Sequence, residues 1–244
     1  MGESTPHATR PVLPPAGLRA GPRDQHDDRV YVENGVALAT SVAQLLQLHQ
    51  GRFQSPAESL AGLNLLDWGC GSARLLTGLQ QLGVDFARYT GVDVKAATID
   101  WCQQHLAAER VTFHTVDIQN ARYNPGGRPL NEVELAHIPS GHDLIVLRSV
   151  FTHMLLADMG AHLAVLRPLL APGGQIYVSV FAEYGVPAES ENPPGYRVEP
   201  SGPLHCVRVD RGGFEGLARQ AGLQVSVFCQ SILHQPTFLL EPIN

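Results

Sequence analysis

The stretch that decides the fold runs Leu63-Asn64-Leu65-Leu66-Asp67-Trp68-Gly69-Cys70-Gly71-Ser72-Ala73-Arg74-Leu75-Leu76. An apolar run ends at an acid, passes through two closely spaced glycines and continues as an amphipathic segment, which predicts a strand, a tight turn and a helix. Glycine at positions 69 and 71 leaves no Cβ atom between the backbone and a ligand, and the following helix offers free N–H groups at its start. The turn therefore predicts a site for a nucleotide-like ligand.

The spacing Asp67-x-Gly69-x-Gly71-x-Ala73 resembles the first motif of the class I S-adenosylmethionine (SAM)-dependent methyltransferases, with Ala73 in place of the last glycine. Dinucleotide-binding proteins use a similar turn that reads Gly-x-Gly-x-x-Gly/Ala. In that frame Arg74 stands where a small residue is needed for close packing of helix on strand. The motif favours a methyltransferase, and an NAD-dependent oxidoreductase is the alternative enzyme.

Composition limits the function classes. The chain has 244 residues with 44% hydrophobic and 16% charged residues, which is ordinary for one globular domain. A formal net charge of -6 and a single lysine, Lys95, argue against binding to nucleic acid or to an anionic membrane. No apolar run is long enough to span a bilayer, and the first residues do not resemble a secretory signal. We therefore expect a cytoplasmic domain that acts on a small molecule.

Cysteine and histidine spacing gives no metal motif. The four cysteines, Cys70, Cys102, Cys206 and Cys229, include no Cys-x-x-Cys pair. The eleven histidines are spread along the chain and form no His-x-x-x-His pair at helical spacing. We expect neither a disulfide framework nor a catalytic metal, and the sequence leaves the oligomeric state open.

Strands and helices alternate along most of the chain. Residues 1–28 are rich in proline and polar residues and predict a flexible or extended arm, whereas residues 29–244 predict a single domain. Strands are predicted near residues 63–68, 89–94, 111–116, 143–147 and 174–181, with helices between them. The two last strands, near 223–232 and 236–240, have only Leu233-His234-Gln235 between them and must be antiparallel. The pattern predicts an α/β doubly wound sheet. The resemblance implies a Rossmann-like seven-stranded sheet of order 3-2-1-4-5-7-6 with strand 7 antiparallel.

Two long connections interrupt this alternation. Residues 119–142 contain Asn124-Pro125-Gly126-Gly127, and residues 183–206 contain five prolines. Long connections in a compact domain usually face a substrate or move over it. We expect both to act as lids.

The cofactor residues should follow the strand ends. In an open parallel sheet, ligands bind beyond the carboxyl ends of the strands. A carboxylate at Asp93, which ends the second strand, can accept hydrogen bonds from both hydroxyls of a ribose. The resemblance implies that Asp117 and Ile118 hold the adenine. The full set expected to line the cofactor comprises Asp67, Trp68, Gly69, Cys70, Gly71, Asp93, Val94, Asp117, Ile118 and Arg148.

The acceptor residues should lie after the fourth strand and on the second lid. Holding two reactants in attack geometry can itself supply about 7–11 kcal/mol, so a base is optional, but a hydroxyl acceptor gains from one. Histidine is the usual base, and His153 and His205 are the candidates, with His137 and His142 weaker. Ser149, Phe151, Glu183 and Tyr184 are expected to contact the substrate.

The resemblance implies SAM as cofactor, S-adenosylhomocysteine as its product, and methyl transfer as the reaction. Oxygen is the preferred acceptor atom, because Arg148-Ser149-Val150-Phe151 replaces the Asn/Asp-Pro-Pro-Tyr/Phe motif of many N-methyltransferases. A sugar, lipid or secondary metabolite fits the size and charge of the chain. A non-catalytic SAM-binding regulatory protein is the third alternative.

Overall fold

The computed structural model describes residues 11–19, 23–197 and 199–243. Its main sheet has seven strands: β1 (Asn64–Trp68), β2 (Arg88–Asp93), β3 (Val111–Thr115), β4 (His142–Leu147), β5 (Leu170–Ser179), β9 (Leu223–Ile232) and β10 (Gln235–Pro242). A second sheet has three short strands: β6 (Phe181–Glu183), β7 (Glu189–Glu191) and β8 (Val207–Asp210). Six α-helices accompany them in the described residues: α1 (Asp28–Gln50), α2 (Pro56–Leu60), α3 (Arg74–Gln81), α4 (Ala96–His105), α5 (Leu156–Leu166) and α6 (Arg211–Gln220).

The strand order in the main sheet is β3-β2-β1-β4-β5-β10-β9. The first five strands are parallel, and β10 is antiparallel to both β5 and β9. Numbered within this sheet alone, the order is 3-2-1-4-5-7-6, so the predicted doubly wound topology is confirmed. The strand order reverses between β1 and β4, which places a crevice at their carboxyl ends.

Helices cover both faces of the sheet because successive strand residues point to opposite sides. On one face, Leu66 and Ile145 join a buried cluster with Leu163 of α5 and Phe214 of α6. On the other face, Leu65 joins a second cluster, whose helix residues come from α1, α2, α3 and α4. The first cluster reaches the carboxyl ends of the strands through Trp68 and Ile118, so the crevice lies above a packed support.

The connection between α5 and β5 is short. The helix ends at Leu166, and a 3-10 turn at Arg167–Leu169 leads directly into β5. The turn-like sequence Pro172-Gly173-Gly174 lies inside β5, where the pairing with β4 shifts register between His142 and Leu144. Gly173 has a φ of 76°, which explains how a turn-like sequence is accommodated as an irregularity in a strand.

The second sheet combines β7, which lies within the second predicted lid, with β6 and β8, which border the lid on either side. β8 pairs with β6 in parallel and with β7 in antiparallel register. No local pattern predicts this sheet, because strands of three or four residues are too short for an alternating pattern to be recognised. The lid is therefore tied by backbone hydrogen bonds to the segment that leaves β5.

Part of the proposed arm packs on the domain. Residues 1–10 and 20–22 lie outside the described residues, but the buried Arg19 side chain donates to the carbonyl of Pro14 at 2.8 Å and pairs with Asp28. Its guanidinium also lies 4.7 Å from the centre of the Tyr31 ring. No helix in the described part of the chain is both long and apolar enough to cross a membrane.

Candidate active site

The glycine turn between β1 and α3 has the backbone that its sequence predicts. Gly69 and Gly71 have φ values of 79° and 52°, and Ala73 takes a φ of 63° at the start of α3. A Cβ atom on Gly71 would meet nothing within 4 Å, whereas one on Gly69 would lie 2.5 Å from Cγ2 of Val150. The space in front of Gly71 is therefore open, and Val150 lies directly against Gly69.

Asp93 holds this turn in place. Its carboxylate accepts hydrogen bonds from the backbone N–H of Gly71 at 2.8 Å and of Lys95 at 2.9 Å. A carboxylate has room for about four hydrogen bonds, so two donors leave it able to accept more. The acid at the end of β2 thus connects the two strand ends that border the crevice.

Asp67, Trp68 and Cys70 are all buried. The Tyr89 hydroxyl donates to Asp67 at 2.6 Å, and burial raises the pKa of Asp67 to about 7. Trp68 packs edge-on against His162, with 6.1 Å between the ring centres. A Cβ atom on Gly91 would lie 3.1 Å from the Cys70 sulfur. The structure places these three side chains beneath the turn, where they support its backbone.

Three further residues expected to line the cofactor follow β2 and β3: Val94, and the two adenine candidates Asp117 and Ile118. Val94 is half-buried and Ile118 is buried in the core cluster. The exposed Asp117 accepts a hydrogen bond from Asn124 at 3.1 Å and lies 3.5 Å from the Arg128 guanidinium. Asp117 therefore braces the first lid in this structure.

Arg148 is bound to the C-terminal hairpin. Its guanidinium donates to the carbonyls of Ile232 at 3.3 Å and Leu233 at 2.7 Å, in the turn between β9 and β10. Burial lowers the pKa of Arg148 to about 10. Next to it, Ser149 has a φ of 58° and exchanges hydrogen bonds with Gln235. The described contacts of both residues anchor the loop after β4 to the C-terminal hairpin.

The structure brings the rings of His153 and His205 next to each other, as is required of two residues that serve one site. Their rings are nearly parallel, with centres 6.4 Å apart. Nδ1 of His153 lies 2.9 Å from the carbonyl of Leu204, which can only accept, so this nitrogen carries the proton. Nδ1 of His205 accepts the backbone N–H of Ser201 at 2.9 Å, which leaves the proton of its neutral form on Nε2. The free nitrogens thus differ: His153 offers an acceptor and His205 a donor.

Both imidazoles favour the neutral form. Burial lowers the pKa of His153, and the nearby Arg122 guanidinium lowers it further. The pKa of His205 is lowered by the same two causes. A neutral histidine is the form that can take a proton.

The other three expected substrate residues have different environments. Phe151 is fully buried, edge-on to His162 and Phe214, so its side chain fills the core. Glu183 accepts the Tyr196 hydroxyl at 2.5 Å. Tyr184 is 67% exposed, beside the Arg211 guanidinium.

Sequence reasoning missed the N-terminal support of the turn. The buried Tyr31 hydroxyl of α1 donates to the carbonyl of Ser72 at 2.8 Å, and burial raises its pKa to about 12. Gln25 accepts a hydrogen bond from Arg74 at 3.3 Å. The only available signal was the helical periodicity of α1, which does not specify what the helix covers.

The residues present fit SAM. An open space faces Gly71, a carboxylate with free lone pairs ends β2, and the first N–H groups of α3 adjoin both. Asp93 would hold the ribose and the turn would hold the amino-acid end. No cluster of three potential metal ligands occurs within residues 11–19, 23–197 and 199–243.

The fold and turn define a class I SAM-dependent methyltransferase, and the comparisons agree. Residues 66–176 match the family model of a methyltransferase domain. An uncharacterized protein of Synechococcus sp. is 27% identical over 177 residues, which is 71% of this chain. The chain spans about a third of that relative, 35% of its length.

Two solved structures share the fold. An amino pentose methyltransferase from Micromonospora echinaspora, with bound SAM, has a TM-score of 0.56 at 14% identity, over 90% of this chain and 94% of that one. A magnesium protoporphyrin IX methyltransferase from Synechocystis PCC 6803, with bound S-adenosylhomocysteine, has a TM-score of 0.55 at 17% identity, over 90% and 91%. Their names indicate different acceptors, so the similarity extends to the methyltransferase fold and not to one substrate.

Proposed function

We propose that this chain transfers a methyl group from SAM to a hydroxyl oxygen of a small molecule, with His153 as the general base. The observation that carries the proposal is the hydrogen bond from Nδ1 of His153 to the Leu204 carbonyl at 2.9 Å. It fixes the tautomer whose Nε2 has a free lone pair. His205 presents an N–H, which suits a donor to the acceptor oxygen better than a base.

The reaction needs little from the protein beyond position and proton removal. SAM, when bound, supplies an electrophilic methyl group. The glycine turn and Asp93 orient the cofactor, the two lids exclude water, and Nε2 of His153 accepts the hydroxyl proton as the oxygen attacks. The low pKa of His153 keeps that nitrogen unprotonated at neutral pH.

The remaining parts of the proposal rest on sequence. A net charge of -6 supports a small-molecule acceptor such as a sugar, lipid or secondary metabolite rather than a nucleic acid or a membrane surface. Cys70, Cys102, Cys206 and Cys229 are free cysteines, which supports a cytoplasmic location.

The test combines binding with product analysis. Calorimetry should detect SAM and S-adenosylhomocysteine but not NAD, and NAD binding alone would favour the oxidoreductase alternative. Incubation with methyl-labelled SAM and a panel of hydroxylated and aminated small molecules should place the label on oxygen. Label on nitrogen or carbon would contradict the assignment of the acceptor atom. SAM binding without transfer to any panel member would favour the non-catalytic alternative.

Histidine variants test the base. His153→Gln should lower turnover by roughly 10²–10⁴-fold with unchanged affinity for S-adenosylhomocysteine. His205→Gln should lower it less, because its Nδ1 is already occupied by Ser201. His105→Gln, an exposed residue of α4, serves as the matched control. Parental turnover in His153→Gln would show that transfer proceeds without this base.

A further inference from the structure

Two cations lie on one aromatic ring beside His153. The Lys95 ammonium is 4.8 Å from the centre of the Tyr123 ring, and the Arg122 guanidinium carbon is 5.6 Å from it. The His153 ring meets Tyr123 edge-on, with 5.4 Å between centres. Lys95, Arg122 and Tyr123 are each half-buried. The only lysine of the chain and an arginine thus contact the same aromatic ring at the candidate acceptor site.

Neither cation has a carboxylate within 4.0 Å in the part of the chain that the structure describes, since the described salt bridges include neither. The acids around them have other partners. Asp93 accepts two backbone N–H groups, Asp117 lies beside Arg128, and Glu191 accepts the backbone N–H of Leu204 at 2.8 Å.

Arg122 is held in place by neutral groups. Its guanidinium donates to the carbonyl of Ser201 at 2.8 Å and reaches the Ser201 hydroxyl at 3.5 Å, while Nε is buried without a partner. Two half-buried cations without counter-ions are unfavourable, and contact with an aromatic ring offsets only part of that cost. An anion in contact with both would supply the missing charge.

The two lids meet at this place. Arg122 and Tyr123 belong to the first lid, and Ser201 and Leu204 belong to the second. The backbone carbonyl of His153 accepts a hydrogen bond from Asn120 of the first lid at 3.2 Å, and its ring bonds to Leu204 of the second. An acceptor that reaches His153 must therefore pass close to both cations.

We propose that the acceptor carries an anionic group, a carboxylate or a phosphate, which Arg122 and Lys95 bind while its hydroxyl faces His153. The inference rests on the proposed methyl transfer and adds the substrate class. A guanidinium can bind two oxygens of such a group at once, and an ammonium adds a point charge. The anion thus supplies the negative charge that no described carboxylate provides to Arg122 and Lys95.

The test uses protein saturated with S-adenosylhomocysteine. Pyrophosphate and citrate are titrated into it by calorimetry at low ionic strength, and we expect at least one of them to bind. Pyrophosphate alone would indicate a phosphate, and citrate alone a carboxylate. Arg122→Gln and Lys95→Gln should each weaken that binding about tenfold or more. Arg52→Gln, an exposed arginine outside the site, should leave it unchanged.

The outcomes separate this proposal from the proposed function. Parent protein that binds S-adenosylhomocysteine but neither anion would overturn the anion site alone. Equal weakening by Arg52→Gln would also overturn it, because the binding would then be non-specific. Loss of S-adenosylhomocysteine affinity in Arg122→Gln and Lys95→Gln with anion binding retained would assign the cations to the cofactor. Parent protein that binds no S-adenosylhomocysteine would instead contradict the proposed function.

Discussion

Gly35 of α1 and Gly78 of α3 lie backbone against backbone. A Cβ atom on Gly35 would be 2.7 Å from the carbonyl oxygen of Arg74, and one on Gly78 would overlap the carbonyl of Gly35. Glycine normally costs about 0.5–1 kcal/mol inside a helix, so two of them at one crossing indicate that close approach is needed there. The crossing sets the position of α1, whose Tyr31 bonds to Ser72 in the turn.

Gly78→Ala should therefore destabilise the protein, by roughly 1–3 kcal/mol, because the added methyl overpacks the crossing. Gly216→Ala is the matched control, since this helical glycine of α6 has nothing within 4 Å of an added Cβ. The control should gain about 0.5–1 kcal/mol from helix propensity. Urea unfolding measures both, and equal effects would contradict the close contact.

Asp93→Ala should weaken S-adenosylhomocysteine binding by about 1.5–3 kcal/mol, roughly tenfold to a hundredfold. The carboxylate is expected at the ribose, and it also holds Gly71 at 2.8 Å. Asp100→Ala, an exposed acid of α4, should have parental affinity. If calorimetry gives the same affinity for parent and Asp93→Ala, Asp93 does not bind the cofactor.

Arg148→Gln should leave that affinity unchanged and lower stability. The variant removes donors from the Ile232 and Leu233 carbonyls, a loss of about 1–3 kcal/mol in the free energy of unfolding. The sequence placed Arg148 at the cofactor, so the two measurements discriminate between the roles. Weaker S-adenosylhomocysteine binding at parental stability would instead assign Arg148 to the cofactor site.

Asp67→Asn should make stability less dependent on pH. The folded pKa of Asp67, about 7, lies above its unfolded value, so the folded state binds more protons between about pH 4 and pH 7. The stabilising effect is fully present below about pH 4 and is lost as pH rises, at up to about 1.4 kcal/mol per pH unit. Denaturant unfolding from pH 4 to 8 should show this fall in the parent relative to Asp67→Asn. Parallel curves would mean that Asp67 is charged throughout.

The rate of methyl transfer should rise with pH and reach its plateau at a lower pH than an ordinary histidine would give. Because the pKa of His153 is lowered by burial and by Arg122, kcat/KM should be half-maximal below about pH 6.5, the ordinary histidine value. The rise should disappear in His153→Gln. A rise that persists in this variant would assign the titration to another group.

The sequence predicts most of the sheet and only part of the site. Strand order follows from alternating apolar runs and a three-residue connection before β10, which are local signals. Gly69, Gly71 and Asp93 were predicted for the same reason, since their roles depend on backbone conformation and position at a strand end. The roles of these residues as ligands remain predictions.

The local sequence does not indicate in which direction a side chain points. Phe151 and Arg148 are close along the chain, yet Phe151 enters the core and Arg148 reaches a hairpin more than eighty residues away. The tautomers of His153 and His205 likewise depend on carbonyl and N–H groups of residues 201–204, whose approach no local pattern indicates.

The position of β10 has a consequence for synthesis of the chain. β5 pairs with β4 on one side and needs β10 on the other, but β10 comes only at residues 235–242. While the ribosome is still making the intervening residues, the nascent protein exposes the unpaired edge of β5, whose apolar residues include Ile176 and Val178. Such an edge is a template for pairing with another chain. The growing polypeptide is thus most prone to aggregate just before its sheet closes, and its yield in cells depends on how quickly β10 inserts between β5 and β9.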